Sequence, residues 1–457
     1  MKRIEPKRVR VDFLVAGAGI AGLSAARTLA DEGAEFLVLD EYPFLGGQYL
    51  RHREGYRPED TRTRRSGFEL LDWAAGREEF WTSSLIIGCY GDEGEKEVAV
   101  SREGEVVVIR PGKIIIATGA RERYLPFPGW TLPGVLSVGA VQALIKTSGV
   151  LPGKEGIFAG TGPFLLAAAH EFREAGGKVL GIFELNPPGR LLPFLPDLLE
   201  WEKLREGTRY LLSLLGRIKF GWRAVRAEAK GEKVEVTLKK GNKRRKSTAD
   251  FLAIGYGFSP NTELAQLCGC PVEYCPELGG FVVKTAEDLS CAPGIYASGE
   301  VTGIGGARKS MIEGRLAALS ALGKRDPGLL KARERELSFA RRLNTVFSVP
   351  LHLWREIPDE TIICRCEDVR MGEIRRAVEE GFSLIRELKE ATRVTMGNCQ
   401  GRTCFPIITE YLRALGRRPE PMSVRPPLKP VEMGIFVREW NGLKIGHIGE
   451  GLPERGV

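Results

Sequence analysis

The 457-residue sequence has no run of about eighteen or more apolar residues, the length that a membrane-spanning helix requires. It has four histidines, and none of them stands in a motif with a serine or cysteine nucleophile. No cysteine occurs between Cys89 and Cys268, so the middle of the chain lacks the paired thiols of a dithiol reductase. These absences argue against membrane insertion, side-chain nucleophilic catalysis and thiol-based reduction. They leave chemistry that bound cofactors carry out.

The composition is that of a globular protein of about two or three domains, with 43% hydrophobic and 28% charged residues. The net charge of +8 is spread along the chain, and we interpret its densest basic run, residues 239–246, as an exposed hairpin tip. No nucleic-acid partner is therefore expected. Asparagine, glutamine and histidine are scarce, as in thermophilic proteins. Because no signal peptide is recognised, we expect a cytoplasmic protein whose nine cysteines are thiols or metal ligands.

Residues 11–41 have the pattern strand, tight turn, helix and strand. The turn contains Gly17, Gly19 and Gly22, and the second strand closes on Asp40. In this pattern the first glycine makes the turn, the second lets the backbone approach a pyrophosphate, and the third lets the helix lie close to the strand. The helix N–H groups bind phosphate, and the acid accepts a hydrogen bond from an adenosine ribose. The stretch predicts a bound dinucleotide.

A second unit of this kind begins at residue 156. Its turn contains Gly160 and Gly162, and its second strand closes on Glu184. Leu165 stands where the third glycine would be, which predicts a wider spacing of helix and strand. The acid favours NADH or another adenine nucleotide over NADPH. Two interpretations stay open: a bound nucleotide, or a domain that keeps the fold and has lost the ligand.

After the second unit the sequence predicts a return to the first domain through residues 254–261 and 294–300. One Rossmann-like unit inserted into another, with the turn at Thr118 and Gly119 and the segment at Gly299 and Glu300, resembles the two-dinucleotide-binding flavin oxidoreductases. The resemblance covers about residues 10–325 and implies FAD in the outer domain and a nicotinamide-type site in the inner one. It also implies that the loop at Gly47 passes under the pyrophosphate and brings Gln48 towards the flavin. At the position of Glu300 the family has Asp, which is one methylene shorter.

Four cysteines near the C-terminus form two pairs, Cys364 with Cys366 and Cys399 with Cys404. Helices are predicted over residues 371–380, 383–392 and 407–415, so two cysteine loops would be held by a small helical bundle. Four thiolates suit a [2Fe–2S] cluster or a zinc ion. We favour the cluster, because zinc would give a redox protein nothing with which to exchange electrons, and unliganded thiols are the third interpretation. The other five cysteines (Cys89, Cys268, Cys270, Cys275 and Cys291) are expected to pack without a ligand.

The C-terminal segment resembles the bacterioferritin-associated-ferredoxin-like (BFD-like) [2Fe–2S] domain, with a longer second cysteine spacing. Together with residues 255–264 it is similar to a narrower family: the α subunits of dye-linked proline and hydroxyproline dehydrogenases, the opine oxidase A subunit and the FAD subunit of hydrogen cyanide synthase. In that family a separate flavin subunit oxidises the amino acid, and a small [2Fe–2S] protein often accompanies both. The resemblance implies those partners. The proline-rich residues 422–430 are expected to run extended over this chain or over a partner.

The sequence thus predicts an α/β protein of two Rossmann-like dinucleotide-binding domains, the second inserted in the first, and a small C-terminal helical iron–sulfur domain. The predicted boundaries are 1–130 with 250–325 for the FAD domain, 131–249 for the inserted domain, 326–360 for a connector, 361–416 for the [2Fe–2S] domain and 417–457 for the tail. The predicted cofactor-binding residues are Gly17, Gly19, Ile20, Ala21, Gly22, Asp40, Glu41, Gly47, Gln48, Thr118, Gly119, Gly299, Glu300, Gly306 and Ala307, with Gly160, Gly162 and Glu184 in the inserted domain. The predicted metal ligands are Cys364, Cys366, Cys399 and Cys404.

Three functions remain in competition. The first is the FAD and [2Fe–2S] electron-transfer subunit of a heteromeric dye-linked amino-acid dehydrogenase. The second is a self-sufficient NADH-dependent flavin reductase, for which Glu184 is the best support. The third is a scaffold or sensor that binds nucleotide and metal without catalysis. No side chain is predicted to act as a catalytic residue in the first case, since the protein supplies positioning and electrostatics to its cofactors.

Overall fold

The computed structural model describes residues 7–432 and 434 apart from 54, 58–60, 93–94 and 192–200, and residues 201–206 by their backbone only. The strands are β1 (Lys7–Ala16), β2 (Phe36–Leu39), β3 (Phe80–Trp81), β4 (Ser84–Tyr90), β5 (Glu97–Arg102), β6 (Glu105–Ile116), β7 (Ala120–Glu122), β8 (Val135–Ser137), β9 (Glu155–Gly160), β10 (Lys178–Glu184), β11 (Ile218–Phe220), β12 (Arg223–Lys230), β13 (Lys233–Lys240), β14 (Lys243–Ala249), β15 (Phe251–Gly255), β16 (Phe258–Pro260), β17 (Val272–Cys275), β18 (Gly280–Val283), β19 (Ser290–Ala292), β20 (Ile295–Ala297), β21 (Ile362–Cys364) and β22 (Val369–Arg370). The helices are α1 (Ile20–Asp31), α2 (Arg62–Ala74), α3 (Val138–Ala143), α4 (Pro163–Glu174), α5 (Trp201–Ser213), α6 (Glu263–Leu267), α7 (Ala307–Ala321), α8 (Pro327–Val346), α9 (Leu351–Arg355), α10 (Met371–Glu379), α11 (Ile385–Thr392) and α12 (Cys404–Ala414).

The first sheet has the order β19-β20-β6-β1-β2-β3, and its central strands are parallel. The hairpin of β4 and β5 extends it in an antiparallel manner from β6. The last four residues of β1 are all buried, because strands of a parallel sheet are covered on both faces and have continuous apolar runs. Helices α1 and α7 pack together on one face. They approach so closely that a Cβ on Gly314 would lie 2.1 Å from the carbonyl oxygen of Ala21.

The second sheet is parallel and has the order β11-β10-β9-β15-β8. Strand β15 therefore belongs to the inner domain, whereas the predicted boundary at residue 250 assigned it to the FAD domain. That assignment was wrong because β15 is a short strand buried along its whole length, and such a run does not reveal which sheet it joins. An antiparallel meander of β12, β13 and β14 accompanies this sheet, and residues 243–246 of the basic run lie exposed on its edge strand.

The chain crosses between the two sheets twice, and the crossings pair with each other. Strand β7 leaves the first sheet and β16 returns towards it, and the two are antiparallel neighbours. The Thr118 hydroxyl, just before β7, donates to the carbonyl oxygen of Asn261, just after β16, at 2.8 Å. The Asn261 amide donates back to the Thr118 carbonyl oxygen at 2.9 Å. This two-stranded ribbon positions one domain relative to the other.

The C-terminal helical domain shares a hydrophobic core with the inner domain. Trp354 in α9 is completely buried in that core. The indole of Trp130 donates to the carbonyl oxygen of Ile362 in β21 at 2.7 Å. Helices α10, α11 and α12 agree with the three helices predicted around the cysteine loops to within about three residues at each end, which is the usual uncertainty of helix ends read from sequence. The fold class predicted from the sequence is thus confirmed.

The described part of the tail runs over this chain. The Leu428 N–H donates to the Ile87 carbonyl oxygen of β4 at 2.7 Å, and Leu428 is buried there. The Gln400 amide donates to the carbonyl oxygen of Pro427 at 2.8 Å. Residues 433 and 435–457 of the predicted tail lie outside the described residues. None of the helices in the described part of the chain combines the length and the apolar character that a membrane crossing requires.

Candidate functional site

The turn after β1 presents bare backbone at the carboxyl end of the first sheet. Gly17 has a φ of +109°, a conformation that favours glycine. A Cβ on Gly22 would lie 1.8 Å from the Gly17 carbonyl oxygen, and a Cβ on Gly47 would lie 2.9 Å from the Gly19 Cα atom. No side chain caps the start of α1, whose first residues, Ile20 and Ala21, are buried. Free N–H groups beside a bare turn can bind a phosphate group.

Asp40 lies next to this turn at the end of β2. Its carboxylate accepts hydrogen bonds from the backbone N–H of Ala18 at 2.7 Å and of Tyr42 at 2.9 Å. Burial raises the pKa of Asp40, although these two N–H groups oppose the rise. Each carboxylate oxygen keeps acceptor capacity that a ribose hydroxyl can use. The neighbouring Glu41 carboxylate instead pairs with the ammonium group of Lys429 in the tail.

Two further predicted segments meet the turn. A Cβ on Gly17 would lie 3.6 Å from the N atom of Thr118, and a Cβ on Gly299 would lie 2.8 Å from the Ala21 Cβ atom. The Glu300 carboxylate accepts from the N–H of Gly306 at 2.7 Å, just before Ala307 begins α7. Burial raises the pKa of Glu300. Gly119 follows Thr118 at the entrance to β7, and Gln48 is exposed beside Gly47.

These segments form one crevice whose chemistry fits a dinucleotide. Bare glycine backbone, an uncapped helix start and a buried carboxylate are the groups that bind a pyrophosphate and a ribose. The Ser298 hydroxyl, which precedes Gly299, is fully buried and has no hydrogen-bond partner within the described chain. A buried hydroxyl without a partner is unfavourable, so a polar group of a bound cofactor would satisfy it.

A buried charge network, which the sequence analysis missed, fixes the loop that contains Gly299. The Lys309 ammonium lies 2.7 Å from the Gly299 carbonyl oxygen and 2.8 Å from the Glu313 carboxylate. Glu313 accepts from the Gly299 N–H at 2.9 Å and from Arg333 at 2.9 Å. Burial would raise the pKa of Glu313, but Lys309 and Arg333 hold it below its ordinary value. The only sequence signal is the i, i+4 spacing of Lys309 and Glu313, which is common on exposed helices.

The predicted residues of the inserted domain form a separate site. The Glu184 carboxylate accepts from the N–H of Gly162 at 3.0 Å and of Asn186 at 2.9 Å. This repeats the arrangement of Asp40 in the first domain. Burial raises the pKa of Glu184. A Cβ on Gly160 would lie 1.8 Å from the carbonyl oxygen of Gly255, so this glycine permits the close packing of β9 on β15.

The connector, residues 326–360, covers the turn of the inserted domain at Gly160 and Gly162. The Thr161 hydroxyl donates to the carbonyl oxygen of Phe347 at 3.2 Å, and a Cβ on Gly162 would lie 3.9 Å from the Phe347 Cβ atom. The Arg190 guanidinium donates to the Ser348 hydroxyl at 2.8 Å. Residues 347–348 therefore lie across the turn where a dinucleotide pyrophosphate would approach the backbone. The sequence carried no signal for this contact, because the connector joins the turn only in the folded chain.

The four predicted metal ligands come together at one end of the helical domain. Cys364 ends β21 and Cys404 begins α12. Cys364 lies beside Cys404, and Cys366 lies beside Cys399. A Cβ on Gly397 would lie 2.1 Å from the Cys366 Cβ atom, so the loops pack tightly. In the part of the chain that the structure describes, no three ligating side chains surround a point that could hold one metal ion; the cysteines stand as two pairs.

Backbone N–H groups favour the thiolate of Cys364, whereas the neighbouring Cys364 and burial raise the pKa of Cys404. The Cys404 thiol and the N–H groups of Glu367 and Thr395 lower the pKa of Cys364 to about 6. The Thr395 N–H also contacts the Cys404 sulfur. Thr395 has a φ of +69°, which is unusual for a β-branched residue. This strained loop directs an amide at two sulfurs, and such donors fit the anionic sulfurs of a [2Fe–2S] cluster.

The cysteine domain lies directly on the outer domain. Glu410 in α12 accepts from the Tyr274 hydroxyl at 2.6 Å and from Arg123 at 3.3 Å. The rings of Phe281 and Phe405 stack at 5.6 Å. The loop that joins Cys399 to Cys404 borders one cleft with residues of β7, β16 and α6. Because β7 begins directly after Gly119, the cysteine loop lies close to the turn predicted to contact the flavin.

Comparison with known proteins gives a family match for each of the two parts of the chain. Residues 11–319 match the family described as pyridine nucleotide-disulphide oxidoreductase, and residues 362–414 match the BFD-like [2Fe-2S] binding domain. Hydrogen cyanide synthase subunit HcnB of Pseudomonas aeruginosa is 32% identical, over 93% of this chain and 97% of that protein. The opine oxidase A subunit of Rhizobium meliloti is 33% identical, over 93% and 97% respectively.

A solved structure shares the whole arrangement of domains. L-proline dehydrogenase from P. horikoshii aligns with a TM-score of 0.72 and covers 95% of this chain and 81% of its own. The sequence identity of 21% makes this a likeness of fold. A thioredoxin reductase of T. acidophilum aligns with 69% of this chain at a TM-score of 0.53.

Proposed function

This chain belongs to the pyridine nucleotide-disulphide oxidoreductase family, and from that membership we propose that it is the electron-transfer subunit of a heteromeric amino-acid dehydrogenase of the proline, hydroxyproline or opine type. The two matched families imply FAD and a [2Fe–2S] cluster as its cofactors. Two of its relatives are named as subunits, one of hydrogen cyanide synthase and one of opine oxidase. The proposal adds a separate flavin-containing subunit that oxidises the amino acid, and a small [2Fe–2S] protein as a further partner.

The geometry of the first crevice and of the cysteine loops supports one set of residues for each cofactor. FAD accepts two electrons and releases them singly, and the cluster carries one electron at a time. The FAD-binding set would be Gly17, Gly19, Ile20, Ala21, Gly22, Asp40, Gly47, Gln48, Thr118, Gly119, Gly299 and Glu300, with Gly306 and Ala307 behind Glu300. The cluster-binding set would be Cys364, Cys366, Cys399 and Cys404.

The observation that carries this proposal is the position of the cysteine loop. The loop of residues 399–404 borders one cleft with the ribbon of β7 and β16, which follows the turn at Thr118 and Gly119 that we expect to contact the flavin. An electron-transfer protein needs its two redox groups near each other. A scaffold or sensor that only binds nucleotide and metal has no need for this proximity.

The connector across the second turn supports the dehydrogenase proposal over the NADH-dependent reductase. Phe347 and Ser348 lie where a pyrophosphate would approach Gly162. We therefore expect NADH not to reduce the flavin of the native chain.

Anaerobic spectroscopy tests the proposal. The purified chain should show flavin bands over a broad cluster absorbance, with iron and acid-labile sulfide near about two per chain. Proline, hydroxyproline and opines should leave the flavin oxidised in the isolated chain, and bleach it once the amino-acid-oxidising partner is added. Amino-acid oxidation by the chain alone would refute the division of labour. Bleaching by NADH alone would favour the reductase.

A further inference from the structure

Two cysteines of the outer domain meet across the interface of a helix and a strand. Cys89 lies in β4, and Cys268 follows α6 directly. Their Sγ atoms are 2.8 Å apart, although the residues are 179 positions apart in sequence. Helix α6 packs on β4 and holds them there. No local motif joins these two cysteines, so the expectation that they pack separately did not anticipate the contact.

The surroundings of the pair are apolar and closed. Cys89 is 6% exposed and Cys268 is 1% exposed, and both belong to the core beneath the first sheet. The hydrogen bond from the Cys268 thiol lowers the pKa of Cys89. Cys270 lies nearby beside Cys291, and this neighbour and burial raise the pKa of Cys270. Cys275 stands apart from these four, with Glu277 as its neighbour.

We propose that Cys89 and Cys268 form an intramolecular disulfide that fastens α6 to β4. A disulfide bond is about 2.0 Å long, so the two sulfurs need to approach by less than an ångström. The link would close a loop that contains the entire inner domain, and cross-linking residues this far apart restricts the unfolded chain strongly. Disulfides inside cells are common in hyperthermophiles, and the scarcity of asparagine and glutamine here is of the thermophilic type.

The oxidant we name is a small-molecule disulfide. The Cys89 thiolate attacks one of its sulfurs, and the first small thiol leaves. The Cys268 sulfur then attacks Cys89 Sγ, and the second small thiol leaves with the remaining proton. Two protein thiols and one small disulfide thus become one protein disulfide and two small thiols, with two electrons and two protons transferred. Because both sulfurs are buried, the exchange requires α6 to lift transiently from β4.

Mass spectrometry of the full chain tests the proposal. The protein is equilibrated with oxidised glutathione in sub-denaturing urea, quenched with acid, alkylated without reductant and digested. We expect the peptides of Cys89 and Cys268 to be recovered as one cross-linked species, which reduction separates. The Cys268→Ser variant should show no cross-link and should leave Cys89 either alkylated or as an unresolved glutathione adduct. The matched control Cys275→Ser should keep the cross-link.

Three results would overturn the proposal. Complete alkylation of both cysteines, or a glutathione adduct that persists on Cys89, would show that the pair does not close. A cross-link that involves Cys270 or Cys291 instead would show that the pairing is wrong. Iron or zinc in excess of the cluster that disappears in Cys268→Ser would show that these cysteines bind a metal. The mapping of the unmodified chain needs no variant, so a variant that fails to fold leaves the test intact.

Discussion

Replacing Lys309 by methionine tests how the loop at Gly299 is held. The Lys309 ammonium lies within 2.7–2.9 Å of four acceptors, and Lys309 and Glu313 are both fully buried. Methionine has a similar length and no charge. The substitution would leave the buried Glu313 carboxylate with Arg333 as its described cationic partner. It would also remove the ammonium donor from the carbonyl oxygens of Gly299 and Gly303.

The expected effect is large for a single substitution. Removing one partner of a buried ion pair costs about 3–5 kcal/mol in the free energy of unfolding when the other charge is left without compensation. Because Arg333 still faces the Glu313 carboxylate, we expect a loss at the lower end of that range. That is a substantial part of the roughly 5–15 kcal/mol that holds a typical domain together. The loop should also lose its fixed position, so FAD content should fall. Lys324→Met is the matched control, because Lys324 pairs with Glu32 at the exposed end of the same region and surface pairs contribute about 0–1 kcal/mol.

Urea unfolding of the purified proteins, followed by flavin fluorescence and by circular dichroism, measures both effects. The two substitutions remove the same charge, so a difference between them reports burial alone. If Lys309→Met lost no more stability than Lys324→Met and retained full FAD, the network would not position the loop. The reasoning from its burial would then be refuted.

Three further predictions concern the other sites. Gly22→Ala should yield protein without flavin, because its Cβ would lie 1.8 Å from a carbonyl oxygen of the turn. The control Gly207→Ala, which has open space around it, should retain flavin, and absorbance spectra measure the flavin content of both variants. Cys366→Ser should lose the cluster iron and keep FAD, while the control Cys275→Ser should keep both. Metal analysis measures the iron, and equal iron in the two variants would contradict the assignment of Cys366 as a ligand. Burial raises the pKa of Glu184 above its ordinary 4.5, so ionisation of this carboxyl opposes folding. The unfolding free energy of the native chain, minus that of Glu184→Gln, should therefore fall as pH rises above about 4.5. A difference that rises with pH would contradict this.

The fold class, the family and the two cofactors were predicted from sequence and are confirmed. Glycine spacing and apolar strands carry this information locally, because a turn that needs a bare backbone admits few residues. The extent of the inserted domain was predicted less well. Strand β15 joined the second sheet, and nothing in a short apolar run indicates its neighbours.

The crevice proposed to bind FAD shows the same division. The structure brings the segments of Gly17, Gly47, Asp40 and Gly299 together. The Lys309 network behind them was missed, since a lysine and a glutamate four residues apart usually face solvent. Thr395 was also missed, because its importance lies in a backbone amide rather than in its side chain.

The sequence by itself determined which cofactors this chain can hold, because phosphate turns and cysteine loops are short segments whose chemistry is contained in a few neighbouring residues. Only the tertiary structure decided what surrounds them. It laid the connector over the turn at Gly162, set the loop of residues 399–404 beside the ribbon of β7 and β16, and brought Cys89 to Cys268. The physical reason is that these contacts join residues far apart in the chain, and their energies depend on burial and distance that no local pattern encodes.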